Sequence, residues 1–539
     1  MFSPLVSLIN DIALGPEKRK VKQFLDAATR ESVYSELGIV LETQLKSFVE
    51  RELLRATFDK HAIESSTAWT QECFRNHIRS SYSDAIVSDA AVRLLWRSFY
   101  FYARHPFPTP LQQPQDAALD FDSFKRAALL TVFQADSLLG TRELDWYWRE
   151  SAPFFHRAGI ARVLSSLTLP SVSGGPQQNI DVGAFNDAMD VLAMTGPQLI
   201  NAVPSEDQLE PVVRRLFAEG GRRVVRGQTV KREDLSTLMD LLLRLSLREH
   251  RWGSSYPFGN IIEGDCEHGG VTKALVDFLA SNDGGENVRV QQLVRMIGLL
   301  PNFLLRFQQL WAVLFQPAES ANMTKLSVGD IELASVSGAI SLFAPYIELD
   351  NAGRQQSDRQ DTQIILKPSL PATSDSQDAA ILDLSRVLSD SAYAHVVLFT
   401  TGADTIPKTI IGGYFPAATE KGPHVLFQLQ PTLSLLRWTK PKVSLADLIT
   451  TDAKLLSGEA VGNEAPSSPY WIGDPMALRA GLQIDLEKRT ATLAIGKGGC
   501  YTDVEMPGRE GGAEKREVTI QNARMHVFVV AGAGVNKRG

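Results

Sequence analysis

The chain has 539 residues, of which 44% are hydrophobic, so it has room for about two to four domains with apolar cores. Its 55 basic and 62 acidic residues give a formal net charge of −7, which excludes a general electrostatic attraction to nucleic acid. The cysteines, Cys73, Cys266 and Cys500, are few and far apart, which argues against a disulfide framework or structural zinc. We therefore expect a cytoplasmic globular protein that binds no nucleic acid.

Residues 1–110 are predicted to form an N-terminal helical region. Apolar residues between Phe24 and Val49 recur at steps of three and four, as on one face of a helix. A basic cluster precedes them, formed by Lys18, Arg19, Lys20 and Lys22. Such a cluster is typical either of a solvated helix end or of a contact with a membrane surface or phosphoinositide. Because Glu17 and Asp26 dilute the positive charge, we favour the solvated helix end.

A short strand-like stretch followed by an amphipathic helix recurs in residues 111–318. The copies are LDFDSFKRAAL from Leu119, IDVGAFNDAMDVL from Ile180, VKREDLSTLMDLL from Val230 and VRVQQLVRMIGLL from Val288. This is the second half of an EF-hand, and the copies could form two pairs. Loops aligned on Ile180 and Val288 lack the bidentate acidic residue that calcium requires at the last loop position, where Ala184 and Gln292 stand. We predict an EF-hand-like helical domain that binds no calcium.

Two further stretches of residues 111–318 suggest a metal site or a membrane span at first sight, but their residues do not support either. The run Asp265–His268 (DCEH) has metal-ligand residue types, but consecutive side chains point in different directions, so we predict a polar loop. The apolar run from Met296 to Phe315 is interrupted by Pro301 and Arg306, which predicts a buried helix pair and not a membrane span.

Residues 325–532 are predicted to form a β-sandwich with a few short helices, and residues 533–539 a disordered tail. The predicted fold class is therefore α+β, with an all-helical N-terminal half followed by this sandwich. The domain is expected to open with a strand-like stretch from Ile331 to Leu349. Apolar runs rich in Val, Ile, Thr, Phe and Tyr, separated by Gly and Pro turns, then follow. They are HVVLFTT, KTIIGGYFP, HVLFQLQ, YWIGDP, GLQIDL, TATLAIG, EVTIQNA and MHVFVVAG.

No catalytic set is recognisable in this C-terminal half. His395, His424 and His526 each lie alone in an apolar run, and an imidazole without an orienting partner is a poor general base. We therefore predict no catalytic, cofactor-binding or metal-binding residue.

The order of short motifs in the C-terminal half resembles that of the TLDc domain. The matching positions are Gly412, Gly413, Tyr414 and Phe415 in GGYF, Gly473 and Asp474 in IGDP, Gly481 and Leu482 in GLQID, and Cys500 in GGCYT. With a helical region ahead of it, the chain is most similar to the fungal restriction-of-telomere-capping proteins and the mTOR-associated TLDc proteins. We interpret the matching glycines and aromatics as structural, because glycine allows tight turns and close packing.

The resemblance implies a non-enzymatic regulator linked to oxidative-stress resistance, which binds subunits of the V-ATPase and modulates its assembly. Relatives often carry a myristoylated Gly at position 2, where this chain has Phe2, so peripheral attachment to a vacuole or lysosome would come only through a partner. Two alternatives stay open. One is a signalling scaffold at the lysosomal or vacuolar surface, and the other is an antioxidant enzyme that acts through Cys500.

Overall fold

The structure is a computed structural model in which helices precede residue 345 and strands dominate the rest, so the predicted α+β class is confirmed. It describes residues 15–43, 45, 47–62, 68–107, 118–135, 139, 152–168, 182–195, 204–219, 228–263, 269–280, 285–297, 299–317, 334–344, 365–368, 394–401, 408–417, 423–438, 449–451, 470–473, 481–485, 488–495, 501–503 and 516–531. Among the described helices, none combines the length and apolarity that crossing a bilayer requires.

The helices form where the apolar spacing predicts them. They are α1 Gly15–Ala27, α2 Arg30–Glu42, α3 Phe48–His61, α4 Gln71–Arg79, α5 Asp89–Ala103, α6 Phe121–Thr131, α7 Ala152–Ser166, α8 Val182–Thr195, α9 Glu206–Glu219, α10 Arg232–Arg244, α11 Gly269–Leu279, α12 Val290–Ile297, α13 Phe303–Leu314 and α14 Ala334–Phe343. Capping boxes at Thr29 and Ser47 fix the starts of α2 and α3, because each side chain accepts from a backbone amide in the first turn. The predicted helix pair within Met296–Phe315 is confirmed as the end of α12 followed by α13.

Three of the predicted strand-like stretches are paired in antiparallel fashion, and each of them leads into a helix. Strand β1 (Thr229–Lys231) pairs with β4 (Asn287–Arg289), and Val230 lies opposite Val288. Leu119 pairs with Trp69 through reciprocal backbone hydrogen bonds of 2.7 and 2.8 Å. Trp69 lies outside the predicted repeat, and Ile180 lies outside the described residues. Each pairing satisfies backbone groups between two helices and fixes their relative position.

The prediction of an all-helical N-terminal half was wrong at one hairpin. Strand β2 (Leu245–Trp252) follows α10 directly and pairs with β3 (Tyr256–Ile261). Gly253 in the connecting turn has φ +58°, a conformation that favours glycine. Buried Glu50 of α3 accepts a 2.7 Å hydrogen bond from the Ser254 amide, which attaches the turn to the helices.

The C-terminal half contains two larger antiparallel sheets. Their strands are β5 Ile365–Pro368, β6 Ala394–Thr400, β7 Ile410–Phe415, β8 Val425–Gln430, β9 Ser434–Trp438, β10 Ile449–Thr451, β11 Tyr470–Gly473, β12 Gly481–Asp485, β13 Thr490–Ile495, β14 Tyr501–Asp503, β15 Arg516–Ile520 and β16 Arg524–Ala531. The seven-stranded sheet has the order β14-β9-β8-β7-β6-β16-β5, and the five-stranded sheet has the order β10-β11-β12-β13-β15. Each of the predicted apolar runs contains one of these strands.

The seven-stranded sheet is buried on both faces. Along β6, Val396 and Leu398 join the apolar core of the helices, whereas Val397 and Phe399 join a second core shared with the five-stranded sheet. Alternate side chains of a strand point to opposite faces, so a strand covered on both sides must be apolar throughout. The order of layers is therefore helices, the seven-stranded sheet and the five-stranded sheet.

The predicted strand-like stretch from Ile331 to Leu349 was wrong where the structure describes it, because residues 334–343 form helix α14. A short apolar run with β-branched and small residues fits either a buried strand or a buried helix. Packing decides in favour of the helix here. A Cβ built at Gly338 would overlap the Leu243 carbonyl oxygen of α10, so glycine permits a close helix–helix contact.

The helical half and the seven-stranded sheet share one continuous core. Phe343 of α14 contacts Phe427 of β8 with ring centroids 5.4 Å apart. The Arg437 Nη2 of β9 donates a 2.6 Å hydrogen bond to the Leu299 carbonyl oxygen. The N-terminal end of α11 approaches β8 so closely that a Cβ at Gly270 would overlap the Gln430 side chain. Apolar and polar contacts together therefore hold the two halves in a fixed relation.

Candidate functional site

The GGYF motif lies in β7, in the interior of the seven-stranded sheet. Tyr414 faces the helical core and Phe415 faces the core between the sheets, and both side chains are 1% exposed. Gly412 lies between β6 and β8, where a Cβ would overlap the Val397 carbonyl oxygen. These residues shape the sheet and are out of reach of a partner.

The second group of motif residues lies in the five-stranded sheet. Gly473 and Gly481 are paired across β11 and β12, and a Cβ at Gly481 would come within 2.6 Å of the Trp471 ring. The Leu482 side chain is buried in the core between the sheets. Asp474 and Cys500 lie outside the described residues, and so does the Asp265–His268 run.

The histidines of the sheets lie at three different strands, His395 in β6, His424 directly before β8 and His526 in β16. His395 and His424 are 3% and 2% exposed, and the His424 ring stacks on Trp438 with centroids 5.9 Å apart. His526 Nε2 lies 3.5 Å from the Thr400 hydroxyl on the neighbouring strand. Within the described residues, no three His, Cys, Asp or Glu side chains form a group that could hold a metal ion.

A concave groove runs along α10 and α11, and we call it the α10–α11 groove. Its volume is about 570 Å³. It is lined by Ser88, Ala91, Arg232, Glu233, Ser236, Thr237, Asp240, Leu241, Arg244, Thr272, Lys273, Val276 and Asp277. The floor is apolar, because Ala91, Leu241 and Val276 are at most 3% exposed, and the rim carries hydroxyl and charged groups.

Ion pairs lie at the two ends of the α10–α11 groove. Arg232 at the start of α10 pairs with Asp277 in the last turn of α11. Near the end of α10, Arg244 Nε donates a 2.9 Å hydrogen bond to Asp240 Oδ2. Glu233 and Lys273 are exposed on the rim between these pairs. An apolar floor with a rim of mixed charge suits recognition of a protein segment, since the rim sets orientation and the floor supplies buried area.

A buried polar cluster lies where α7 and α8 meet the end of α5. Arg162 Nη1 donates a 2.9 Å hydrogen bond to Asp187 Oδ1, and His105 Nε2 lies 3.3 Å from Asp187 Oδ2. These side chains are 6%, 2% and 0% exposed, in the order Arg162, Asp187, His105. Burial raises the pKa of Asp190, one turn further along α8, well above its ordinary value. The cluster is sealed from solvent, so it holds α8 in place and offers no access to a substrate.

The side chain of His77 links the N-terminal helices to the end of α13. His77 Nε2 lies 3.0 Å from the Leu314 carbonyl oxygen, and its ring lies 4.7 Å from Phe315 and 5.3 Å from His61. Burial, with a contribution from the nearby charge of His61, lowers the pKa of His77 to about 3. The neutral imidazole is therefore the form that fits this site.

Acid is expected to destabilise the fold through His77. Its pKa in the folded state is below the 6.5 of an ordinary histidine. Between these values the unfolded chain binds the proton more readily, so this contribution to stability falls as the pH drops below 6.5. Urea unfolding from pH 7.5 to 5 should show a smaller acid-induced loss for His77→Phe than for the wild type. The comparison with the wild type is needed because the raised pKa of Asp190 acts in the opposite direction.

Equal pH slopes in the two proteins would contradict this assignment. His526→Phe is the matched control, because it removes one imidazole from strand β16 and leaves the contacts of His77 unchanged. The control should keep the wild-type slope.

No protein-family model, curated protein or solved structure matches the chain. The α10–α11 groove was missed by the sequence analysis, since its residues come from three separate helices. The sequence signal that could have revealed it is the polar stripe of Ser236, Thr237 and Asp240 between the buried leucines of α10.

Proposed function

We propose that this chain is a non-enzymatic TLDc-type regulator that binds V-ATPase subunits and modulates assembly of that pump, with a link to oxidative-stress resistance. It would act in the cytoplasm and at times at the surface of the vacuole or lysosome. The α10–α11 groove is its docking surface, and the sheets are the scaffold that supports this surface.

The TLDc part of the proposal is supported by where the motif residues lie. Gly412 and Gly481 are found where only a glycine fits between neighbouring strands. Tyr414 and Phe415 point into different cores from adjacent positions. A motif with such demanding packing roles is expected to recur within a fold family, which agrees with the resemblance seen in the sequence.

The EF-hand-like part of the proposal is supported by the paired stretches. In α9-β1-α10 and α11-β4-α12, two helix–stretch–helix units meet at Val230 and Val288. The units α3-Trp69-α4 and α5-Leu119-α6 meet in the same way. A pair of EF-hands is joined by such a short antiparallel contact between its loops. We propose two EF-hand-like pairs that keep this scaffold without a calcium site.

The observation that carries the functional proposal is the continuous core between the helical half and the seven-stranded sheet. A protein that promotes disassembly must bind the separated sector more tightly than the assembled pump. A fixed surface binds its partner more tightly than a mobile one, because less conformational freedom is lost on binding. The contacts of Phe343 with Phe427 and of Arg437 with Leu299 fix the groove relative to the sheets.

The test is to incubate membranes bearing assembled V-ATPase with the purified full-length chain and to measure release of the soluble sector. We expect release, and recovery of V-ATPase subunits with the chain. The charge exchange Glu233→Lys with Lys273→Glu should weaken binding by about tenfold, since rim charges steer association and orientation. The matched control exchanges the charges of an exposed pair in α3, Arg55→Asp with Asp59→Arg, which likewise leaves the net charge unchanged.

The two parts of the proposal fail in different ways. If the wild-type chain neither binds V-ATPase subunits nor changes pump assembly, the regulatory function is wrong. If the wild type binds and the groove variant binds equally well, docking occurs on another surface.

A further inference from the structure

The first two turns of α1 carry a compact positive surface. The side chains of Lys18, Arg19, Lys20 and Lys22 are all exposed, whereas Val21 and Leu25 are each 3% exposed and attach the helix to the body. Within the described part of the chain, no carboxylate forms an ion pair with Arg19, Lys20 or Lys22. The cations therefore cover the exposed arc of the helix on both sides of its buried stripe.

The positive charge lies at the end of the helix where it costs stability. A helix macrodipole favours anions in the first turn and cations in the last. In α1 the cations lie in the first two turns, and the last turn contains none. Four cations against the single carboxylate of Glu17 leave residues 15–22 with a net charge of +3, at the end of the helix where the macrodipole favours anions.

The far end of α1 is held firmly by the neighbouring helix. Arg215 of α9 donates hydrogen bonds to the carbonyl oxygens of Leu25, Asp26 and Ala28, at 3.1, 3.1 and 2.9 Å. These carbonyls lie at the end of α1, where the regular helical hydrogen bonds stop, and the Leu25 oxygen also accepts from the Ala28 backbone amide at 3.4 Å. The helix is thus anchored at its C-terminal end and presents its cationic end outward.

We propose that the N-terminal half of α1 is a docking surface for an anionic lipid membrane, with Lys18, Arg19, Lys20 and Lys22 contacting the headgroups. The cations complement such a surface, whereas the net charge of −7 would repel the protein from it elsewhere. Lipid is favoured over nucleic acid by the sequence directly before α1. Residues 1–14 include Phe2, Leu5, Val6, Leu8, Ile9, Ile12 and Leu14. A sequence in which an apolar stretch precedes a cationic helix end is typical of membrane-interface segments, and the apolar stretch would add nothing to phosphate binding on a duplex.

This proposal does not depend on the pump-binding function. From the sequence we expected a solvated helix end and membrane attachment only through a partner. The proposal is instead that α1 contacts the membrane directly. Since each cation near an anionic membrane strengthens binding by about fivefold, the cluster can hold the protein at a surface without a lipid anchor.

The test is flotation of the full-length chain with vesicles of phosphatidylcholine, with and without phosphatidylserine. We expect binding only to vesicles that contain phosphatidylserine, and weaker binding as salt rises. Changing Lys18, Arg19, Lys20 and Lys22 to Gln should lower the partition coefficient by at least about a hundredfold. Glutamine favours helix, so the circular dichroism spectrum and the thermal unfolding midpoint should not fall.

A matched control removes the same charge from other exposed positions. It changes Arg55, Lys60, Lys231 and Lys488 to Gln and should bind as the wild type does. Equal loss in this control, or unchanged binding by the α1 variant, would overturn the proposal. So would binding of a labelled nucleic acid duplex by the wild type in the absence of binding to phosphatidylserine vesicles.

Discussion

Replacing Arg306 by Ala is expected to destabilise the protein by about 3–5 kcal/mol. Arg306 is 1% exposed and lies in α13, where its Nη2 donates to the carbonyl oxygens of Leu242 and Leu245 at 3.0 and 2.7 Å. These carbonyls lie at the C-terminal end of α10. Without the guanidinium they would be buried and would lack a hydrogen-bond donor. Burial lowers the pKa of Arg306 to about 10, in agreement with a cation far from water. Urea unfolding at neutral pH measures the loss.

Two further variants separate the causes of this loss. Arg306→Met fills most of the volume but offers no donor, so it should stay destabilised if the unsatisfied carbonyls dominate. Arg55→Ala removes an exposed arginine paired with Asp59 and should change stability by less than about 1 kcal/mol. Wild-type stability in Arg306→Met would mean that the carbonyls of α10 find other donors.

The strands were predictable where burial determines the pattern of apolar residues along the strand. Strands β6, β7 and β8 have apolar residues on both faces, because helices cover one side and the second sheet covers the other. Strands β12 and β13 alternate, since their outer face meets solvent at Gln483 and Thr492. The sequence analysis missed β2 because it continues from α10 without a break, so the period changes from helix to strand within a few residues.

The candidate site was far less predictable than the fold. The glycines and aromatics of the motifs stand out in the sequence, yet they lie in the interior of the sheets. The α10–α11 groove depends on helices that are distant in sequence, and its polar residues have no distinctive spacing. Lys18, Arg19, Lys20 and Lys22 are recognisable as a cluster, but their exposure and the anchoring of α1 by Arg215 required the structure.

Replacing Gly412 by Ala is expected to destabilise the protein by at least about 3 kcal/mol, because the new methyl group meets backbone that cannot move aside. A Cβ at this position would overlap the Val397 carbonyl oxygen of β6 and come within 3.2 Å of the Phe427 ring of β8. Relief would require the centre of the seven-stranded sheet to open. Thermal or urea unfolding of the purified variant measures the effect.

The neighbouring Gly413 provides the sharpest comparison, since its Cβ would meet side chains, 2.6 Å from Phe415 and 2.9 Å from Leu426. Side chains can turn aside more easily than backbone, so Gly413→Ala should cost less than Gly412→Ala. Gly38 in α2 has no atom within 4 Å of a built Cβ, and Gly38→Ala should stabilise the protein by about 0.5–1 kcal/mol. A reversed order of the two β7 variants would show that the Val397 carbonyl does not limit the packing of this strand.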